Sequence, residues 1–165
     1  MELEYIPRYS VAERQTWNDD WELIHGYPYA MSPSAKGRHQ QKAGALFLAW
    51  NDRLRSCTSS HIYYELDWII DDQTVVRPDI LIHCGKPIED YLRTIPALII
   101  EILSPSTKLK DLNTKKDLYA SSGVKYYITA DSESDEITFL ELVDCTYVQM
   151  PSRVFTLCDE CTVSW

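Results

Sequence analysis

Two carboxylates stand in the middle of strongly apolar runs of the chain. Glu101 lies within LIIEIL (98–103), and Asp79 lies within VVRPDILIH (75–83). A carboxylate inside a buried strand is unfavourable unless it is paired or binds a metal ion. If the two runs form adjacent strands, the carboxylates converge at one end of a sheet and suit a hard cation such as Mg²⁺ or Mn²⁺. The alternative is a pair of ion pairs, for instance Asp79 with Arg77 and Glu101 with a lysine, and the residues alone favour neither interpretation.

A helix that follows the second run carries a further reactive group. Asp111, Lys115 and Tyr119 are spaced four residues apart, which predicts that they share one helical face. A lysine beside a metal-bound water can orient it, act as a base if its pKa falls, or stabilise negative charge in a phosphoryl transition state. The alternative is an exposed Asp–Lys pair on a surface helix, which is the more common fate of such residues.

Two other residues are weaker candidates for the same site. Glu22 lies on a predicted hairpin and could approach the site as an additional acid, and His39 opens a predicted helix and could contact a phosphate or a water molecule. A hydrated surface glutamate and a helix-start histidine are at least as common.

Hydrophobic periodicity predicts the elements that position these residues. They are a capped helix at 10–17, a hairpin at 20–31, a helix at 39–55, strands at 61–70, 74–83 and 97–103, a helix at 109–122, a strand at 124–130, and a hairpin formed by 136–142 and 146–150. This order predicts an α/β fold with a mixed sheet flanked by helices. No repeat or linker divides the chain, so residues 1–165 are predicted to form a single domain.

The charge of the chain bears on its partners. A net charge of −9 and a pI of about 4.8 argue against a surface coated for nucleic acid. A local basic segment remains, because Lys108, Lys110, Lys115 and Lys116 lie close together near the predicted site. That segment could contact phosphates, although a basic helix is more often only solvated.

The N-terminus lacks a signal-peptide pattern, and no apolar run approaches the roughly 20 residues that span a bilayer. We therefore expect a cytoplasmic protein without membrane contact. In that compartment the five cysteines are predicted to be free thiols. Cys158 and Cys161 form a CxxC pair, which is half of a zinc site, but no second pair with suitable spacing follows it.

The order of several short motifs resembles the Uma-two family of restriction-endonuclease-like proteins, a branch of the PD-(D/E)XK nuclease superfamily. The resemblance covers about residues 20–145. Its motifs are Trp21–Gly26, similar to the family's "ELIDG" strand; Met31–Ser34 followed by His39; Arg77-Pro78-Asp79; Pro96–Thr107; the helix with Asp111, Lys115 and Tyr119; and Gly123–Tyr127.

The resemblance implies a restriction-endonuclease-like mixed sheet with an N-terminal β-hairpin extension. It also implies Asp79 and Glu101 as metal ligands, with the Ile102 carbonyl as a third, and Lys115 as a catalytic residue. The superfamily pattern has a lysine where this chain has Leu103, and Lys115 would take its place from the next helix. Lys125 and Tyr127 stand where the family often has Glu and Trp, and His25 replaces an Asp.

These observations predict a Mg²⁺- or Mn²⁺-dependent endonuclease that hydrolyses DNA phosphodiester bonds, with a homodimer expected from the superfamily's habit of pairing sites. A non-catalytic interaction protein on the same scaffold is the alternative, because one fold hosts several activities. Hydrolysis of another phosphoester, such as a nucleotide, is a third and weaker possibility.

Overall fold

The computed structural model describes residues 6–31, 36–159 and 161–165, so Ser32–Ser34 of the Ser-Pro motif lie outside the described residues. The helices are α1 (Val11–Arg14), α2 (Gly37–Arg53) and α3 (Lys116–Ser121); a 3-10 turn (Leu54–Ser56) follows α2, and a π-helical turn (Lys110–Lys115) precedes α3. The strands are β1 (Trp21–Ile24), β2 (Tyr27–Ala30), β3 (Ser60–Tyr64), β4 (Trp68–Asp71), β5 (Thr74–Val76), β6 (Ile80–Cys84), β7 (Leu98–Leu103), β8 (Tyr126–Asp131), β9 (Ile137–Val143), β10 (Thr146–Gln149), β11 (Val154–Leu157) and β12 (Cys161–Ser164).

The largest sheet is mixed, with the strand order β10-β9-β8-β7-β6-β3. Its β7–β8 pair is parallel and its other pairs are antiparallel. A parallel pair needs a crossover connection, and the π-helical turn with α3 provides it. The structure thus confirms the predicted α/β class with a mixed sheet and flanking helices.

Strand β7 is buried along its whole length because both faces of the sheet are covered. On one face, Ile100 and Ile102 pack in a cluster with Ala43, Leu46 and Trp50 of α2. On the other face, Ile99 packs in a second cluster that includes Leu118 and Tyr119 of α3. A strand covered on both sides explains why its sequence is nearly all apolar.

A second, antiparallel sheet has the order β2-β1-β5-β4. Its β1–β2 hairpin turns at His25 and Gly26, both with positive φ (53° and 81°), which confirms the predicted hairpin. The hairpin is not a free extension, because β1 also pairs with β5.

At two of the points where the chain passes from one sheet to the other, the passage divides a run that the sequence predicts as one strand. The predicted strand at 61–70 is interrupted at Glu65, whose φ of 50° ends β3 before β4 begins in the other sheet. The predicted strand at 74–83 is interrupted at Arg77–Asp79, where Pro78 has no N–H to donate to a ladder. The single-strand predictions were therefore wrong.

The C-terminal hairpin β11–β12 was not predicted. Phe155, Leu157 and Val163 are buried in the same cluster as α2, and Phe155 lies 5.0 Å from the Trp50 ring, centroid to centroid. Short segments of alternating apolar residues give only a weak strand signal, so the sequence did not reveal this packing.

Four cysteines are paired, as Cys57–Cys161 and Cys84–Cys158, with Cα–Cα distances of 5.5 and 5.2 Å. The prediction of five free thiols was wrong for these four, and only the exposed Cys145 is free. The partners are separated by 104 and 74 residues, so only the tertiary fold brings them together.

Within the described part of the chain, none of the helices has the length and apolar character needed to cross a membrane.

Candidate active site

Asp79 and Glu101 lie opposite each other where β6 pairs with β7. Ile80 pairs with Ile100 in the antiparallel β6–β7 ladder, so Asp79, directly before β6, opposes Glu101. The Ile102 N–H donates a 2.6 Å hydrogen bond to Asp79 Oδ2, and the Asp79 N–H donates a 3.4 Å bond to Glu101 Oε2. The passage from β5 to β6 at Arg77–Asp79 thus places the Asp79 carboxylate beside Glu101 of β7.

Lys115 reaches the same place from the π-helical turn. Its Nζ lies 2.8 Å from Glu101 Oε1, 2.9 Å from Glu22 Oε1 and 3.8 Å from Asp111 Oδ1. The side chain is buried, which contradicts an exposed Asp–Lys pair. The Tyr127 hydroxyl of β8 holds the π-helical turn by donating a 2.8 Å hydrogen bond to the Asp111 carbonyl. Such turns are frequent at functional sites.

Glu22 is a member of this cluster and not a hydrated surface residue, since it is only 1% exposed. Its Oε2 accepts a 2.7 Å hydrogen bond from Lys110 Nζ, and its Oε1 also accepts one of 2.9 Å from the Arg77 N–H. Although burial raises the pKa of Glu22, the Lys115 and Lys110 ammonium groups lower it to about 2. Glu22 is therefore ionised at neutral pH.

His39 lies on the first turn of α2 with its Nε2 3.4 Å from Asp79 Oδ1. The hydrogen bond to Asp79 raises the pKa of the imidazole, and partial burial opposes this. The buried Nδ1 has no hydrogen-bond partner among the described residues. The structure therefore brings His39 to the cluster, with one ring nitrogen against a candidate ligand.

Tyr119 lies on α3, and its hydroxyl donates a 2.6 Å hydrogen bond to Glu101 Oε1. Burial, together with the nearby Glu101 charge, raises the pKa of Tyr119 well above its ordinary value. The phenol therefore stays protonated. The Tyr119 hydroxyl and the Lys115 ammonium both donate hydrogen bonds to Glu101 Oε1. Among the described residues, Glu101 Oε2 then has only the 3.4 Å contact with the Asp79 N–H.

The cluster has an excess of negative charge. The carboxylates Glu22, Asp79, Glu101 and Asp111 outnumber the ammonium groups Lys110 and Lys115 by two when all are ionised. Burial raises the pKa of Glu101, and Lys115 offsets only part of that effect. Burial likewise raises the pKa of Asp111, against Lys115. A divalent cation would neutralise this excess of charge.

Lys115 is held as a cation. Burial lowers the pKa of its amine, but the Glu101 and Glu22 carboxylates raise it well above the ordinary value. A lysine in this state cannot accept a proton at neutral pH. In this arrangement the protonated amine fits two of the three roles considered from the sequence, orientation of a water and charge stabilisation, whereas the role of a base would need its pKa to fall.

The cluster lines a cleft of about 420 Å³ between the two sheets. Its wall includes Asp79, Glu101, Ile102, Asp111 and Lys115, together with Lys36 and the 104–107 loop. The predicted basic segment does not form a free patch here. Lys108 pairs with Asp131, Lys110 with Glu22, and Lys115 with Glu101.

The bend before Asp79 is fixed by a second ion-pair group behind the cleft. Asp67 is buried and pairs with Arg14 Nη1 at 2.9 Å and with Arg77 Nε at 2.6 Å. Arg77 thus binds Asp67, so the alternative pairing of Asp79 with Arg77 is not found, whereas the pairing of Glu101 with a lysine is found, with Lys115. The Arg77 main-chain N–H meanwhile holds Glu22.

As the side chains stand, no three His, Cys, Asp or Glu residues of the described ranges are arranged to hold a metal ion. Lys115 Nζ occupies the space between Glu22 and Glu101. Of the two predicted ligands, each keeps one oxygen for a cation: Asp79 Oδ1, whose contact among the described residues is the 3.4 Å one with His39, and Glu101 Oε2. Two carboxylate oxygens with water and a main-chain carbonyl are a donor set that suits Mg²⁺ or Mn²⁺.

The Uma2 family, described as "Putative restriction endonuclease", matches residues 8–158. The chain belongs to this family. A solved structure from Anabaena variabilis ATCC 29413, described as "a putative nuclease belonging to DUF820", superposes with a TM-score of 0.72 at 16% identity, covering 94% of each chain. At that identity the likeness establishes a shared fold. A search of curated proteins gives no match.

Membership of the Uma2 family confirms the resemblance noted from the motifs and supports a nuclease. The sequence did not indicate the roles of Lys110 and Arg77 in holding Glu22. Lys110 and Glu22 are separated by 88 residues, and no local pattern signals that contact. The "RPD" motif drew attention to Arg77 only as a possible partner of Asp79.

Proposed function

We propose that this Uma2 protein is a metal-dependent endonuclease that hydrolyses DNA phosphodiester bonds, with Mg²⁺ or Mn²⁺ as its cation. The observation that carries the proposal is the opposition of Asp79 and Glu101 across β6 and β7, each with one oxygen left for a ligand in the cleft. The family match supports the nuclease class.

The cation would be held by Asp79, Glu101 and the main-chain carbonyl of Ile102. When bound, it would polarise the scissile phosphate and lower the pKa of an attacking water. The chain itself prepares the ligands. The Ile102 N–H fixes Asp79 Oδ2, while Lys115 and Tyr119 fix Glu101 Oε1, so the two ligand oxygens are oriented before binding.

Lys115 is proposed to stabilise the negative charge that develops on the phosphate oxygens. Its ammonium lies within the cleft wall, and its raised pKa keeps it charged at neutral pH. Glu22 holds this ammonium in place through its 2.9 Å contact. His39, beside Asp79, is proposed to contact a phosphate or the water it receives.

The proposed DNA contacts are few and local, in keeping with a net charge of −9. Lys36 and the hydroxyls of Ser104, Ser106 and Thr107 line the cleft and can donate hydrogen bonds to phosphates. We further propose a cytoplasmic homodimer, because two copies of the site would cut both strands of a duplex. Linear product from a plasmid, and a dimer mass in solution, would test that part.

The experiment is plasmid and oligonucleotide cleavage with Mg²⁺ or Mn²⁺ by wild type and by Asp79→Asn, Glu101→Gln and Lys115→Met. Exposed residues supply matched controls, Glu89→Gln for the carboxylates and Lys86→Met for the lysine. We expect the three cleft variants to lose cleavage and both controls to keep it. Calorimetry should show that Asp79→Asn and Glu101→Gln also lose cation binding.

Other outcomes are equally informative. Equal cleavage by wild type and all variants would identify a contaminating nuclease. Folded wild type that neither binds the cation at millimolar concentration nor cleaves DNA would contradict the proposal and favour the non-catalytic interaction protein. Cleavage of nucleotides but not of DNA would retain the metal site and change the substrate.

A further inference from the structure

Cys57 and Cys84, which are far in sequence from the CxxC pair, lie at the β3 edge of the large sheet and are called the body pair. Cys84 is the last residue of β6, and it pairs with Ser60 of the neighbouring edge strand β3. The Ser60 N–H and hydroxyl both donate to the Cys57 carbonyl, at 3.0 and 2.7 Å. Ser60 therefore holds Cys57 and Cys84 on the same edge of the sheet.

The CxxC pair lies on the turn of the C-terminal hairpin. Cys161 pairs with Leu157 across the β11–β12 ladder, and Cys158 and Asp159 form the turn with φ values of 51° and 64°. This turn sits against the body pair, with Cys161 beside Cys57 and Cys158 beside Cys84. All four cysteines (the cysteine cluster) thus lie where the C-terminal hairpin packs against the large sheet.

We propose that the reduced cysteine cluster is a structural zinc site in which Cys57, Cys84, Cys158 and Cys161 bind one Zn²⁺. A CxxC pair on a tight turn and a second cysteine pair on the facing element are the usual components of a four-cysteine site. The fold supplies the second pair that the linear spacing lacks. Four thiolates are soft ligands, and they select Zn²⁺ over the hard cations proposed for the cleft.

The oxidised and reduced states are related by a balanced reaction. Each disulfide takes two electrons and two protons from a dithiol reductant, which becomes a disulfide, and two cysteine thiols form. Zn²⁺ binding then releases the thiol protons to solvent. Cys57 is buried, whereas Cys84, Cys158 and Cys161 are partly exposed, so both a reductant and the metal ion have access.

The ion would fasten the hairpin to the body in a reducing compartment, where disulfides do not persist. This attachment matters because the hairpin contributes Phe155, Leu157 and Val163 to the main core. The proposal does not depend on the nuclease function, since the cluster shares no residue with the cleft.

In the test, the purified 165-residue chain is reduced with a dithiol, and the reductant is then removed in the absence of oxygen. Zn²⁺, or Co²⁺ as a spectroscopic probe, is then added. We expect one Zn²⁺ per chain after desalting, and thiolate-to-metal charge transfer with tetrahedral ligand-field bands from Co²⁺. With Zn²⁺ bound, only Cys145 should react rapidly with a thiol reagent, and chelation should release four further thiols.

Cys84→Ser and Cys158→Ser should lose the cobalt spectrum, whereas Cys145→Ser, at the exposed free cysteine, should keep it. Asp79→Asn should also keep it, which separates the cluster from the cleft. Reduced, folded wild type that retains neither metal, with all five thiols reactive in the presence of Zn²⁺, would overturn the proposal. Because that result is read on wild type, it holds even if a serine variant fails to fold.

Discussion

The Glu22 carboxylate and the Lys115 ammonium form a buried ion pair, 2.9 Å apart, between two different parts of the fold. Glu22 belongs to β1 of the four-stranded sheet, and Lys115 belongs to the π-helical turn that follows β7 of the large sheet. The pair therefore links the two sheets across the cleft. It also holds Lys115, which among the described residues is the cationic side chain that contacts Glu22, Glu101 and Asp111 together.

Glu22 should make stability depend on acid pH. Its pKa in the folded protein is about 2, below the ordinary 4.5, because the lysines outweigh burial. The stabilisation that the ionised Glu22 gives to the folded protein is therefore complete above pH 4.5 and is lost as the pH falls towards 2. The difference corresponds to about 3 kcal/mol of unfolding free energy. Urea unfolding between these pH values should give a flatter profile for Glu22→Gln than for wild type. A Glu22→Gln profile parallel to that of wild type would refute this, and Glu89→Gln serves as the control.

Lys115→Met should destabilise the protein at neutral pH, by about 3–5 kcal/mol, because it leaves buried carboxylates without their cation. Millimolar Mg²⁺ should restore more stability to this variant than to wild type, since a divalent ion can neutralise the same carboxylates. Thermal unfolding with and without Mg²⁺ measures both effects. Equal shifts in wild type and Lys115→Met would show that the cation does not act at this cluster, and Lys86→Met should behave as wild type.

Tyr119→Phe should affect the proposed metal site more than the fold. It removes the hydroxyl that fixes Glu101 Oε1 but leaves the Lys115 contact in place. We expect a loss of roughly 10- to 100-fold in Mn²⁺ affinity or cleavage, with a stability change of about 1–2 kcal/mol. Calorimetry, cleavage rates and urea unfolding provide the comparison. Unchanged affinity and rate would assign the hydroxyl a purely structural role.

Phe155→Ala should lower the unfolding free energy by about 3–5 kcal/mol, as is typical for a buried aromatic residue. The ring contacts Trp50 and Tyr126, each at 5.0 Å between centroids. The neighbouring Thr156 is exposed, so Thr156→Ala should change stability by less than about 0.5 kcal/mol. Urea unfolding of both variants tests the contribution of the C-terminal hairpin. Similar losses for the two would contradict the packing described.

The sequence predicted well where a signal is local. The apolar run around Glu101 and the capping pattern of Ser10 with Glu13 each depend on near neighbours, and β7 and α1 follow from them. The sequence also identified Asp79 and Glu101 as candidates, because a charged residue within an apolar run is unfavourable to bury and can be recognised from its near neighbours alone.

What the sequence could not reveal depends on distant contacts. From the sequence, Glu22 is an ordinary hairpin glutamate, and it becomes buried only when Lys110 and Lys115 of the π-helical turn pack against it. The left-handed conformation of Glu65 is atypical for its residue type, so the end of β3 has no strong signal. The cysteine pairs are set by the path of the C-terminal hairpin, which spacing within the chain does not encode.

The passage at Arg77–Asp79, where the chain leaves the four-stranded sheet and enters the large one, has a consequence for folding. Asp79 and Glu101 can meet as soon as β6 pairs with β7, but Glu22 and Lys115 meet only after the two sheets dock. Cation affinity should therefore arise in two stages during refolding: a weak early state with both carboxylates present, and a tighter one once Glu22 holds Lys115 against Glu101 Oε1. Time-resolved Mn²⁺ binding would thus record the order in which the two halves of the protein assemble.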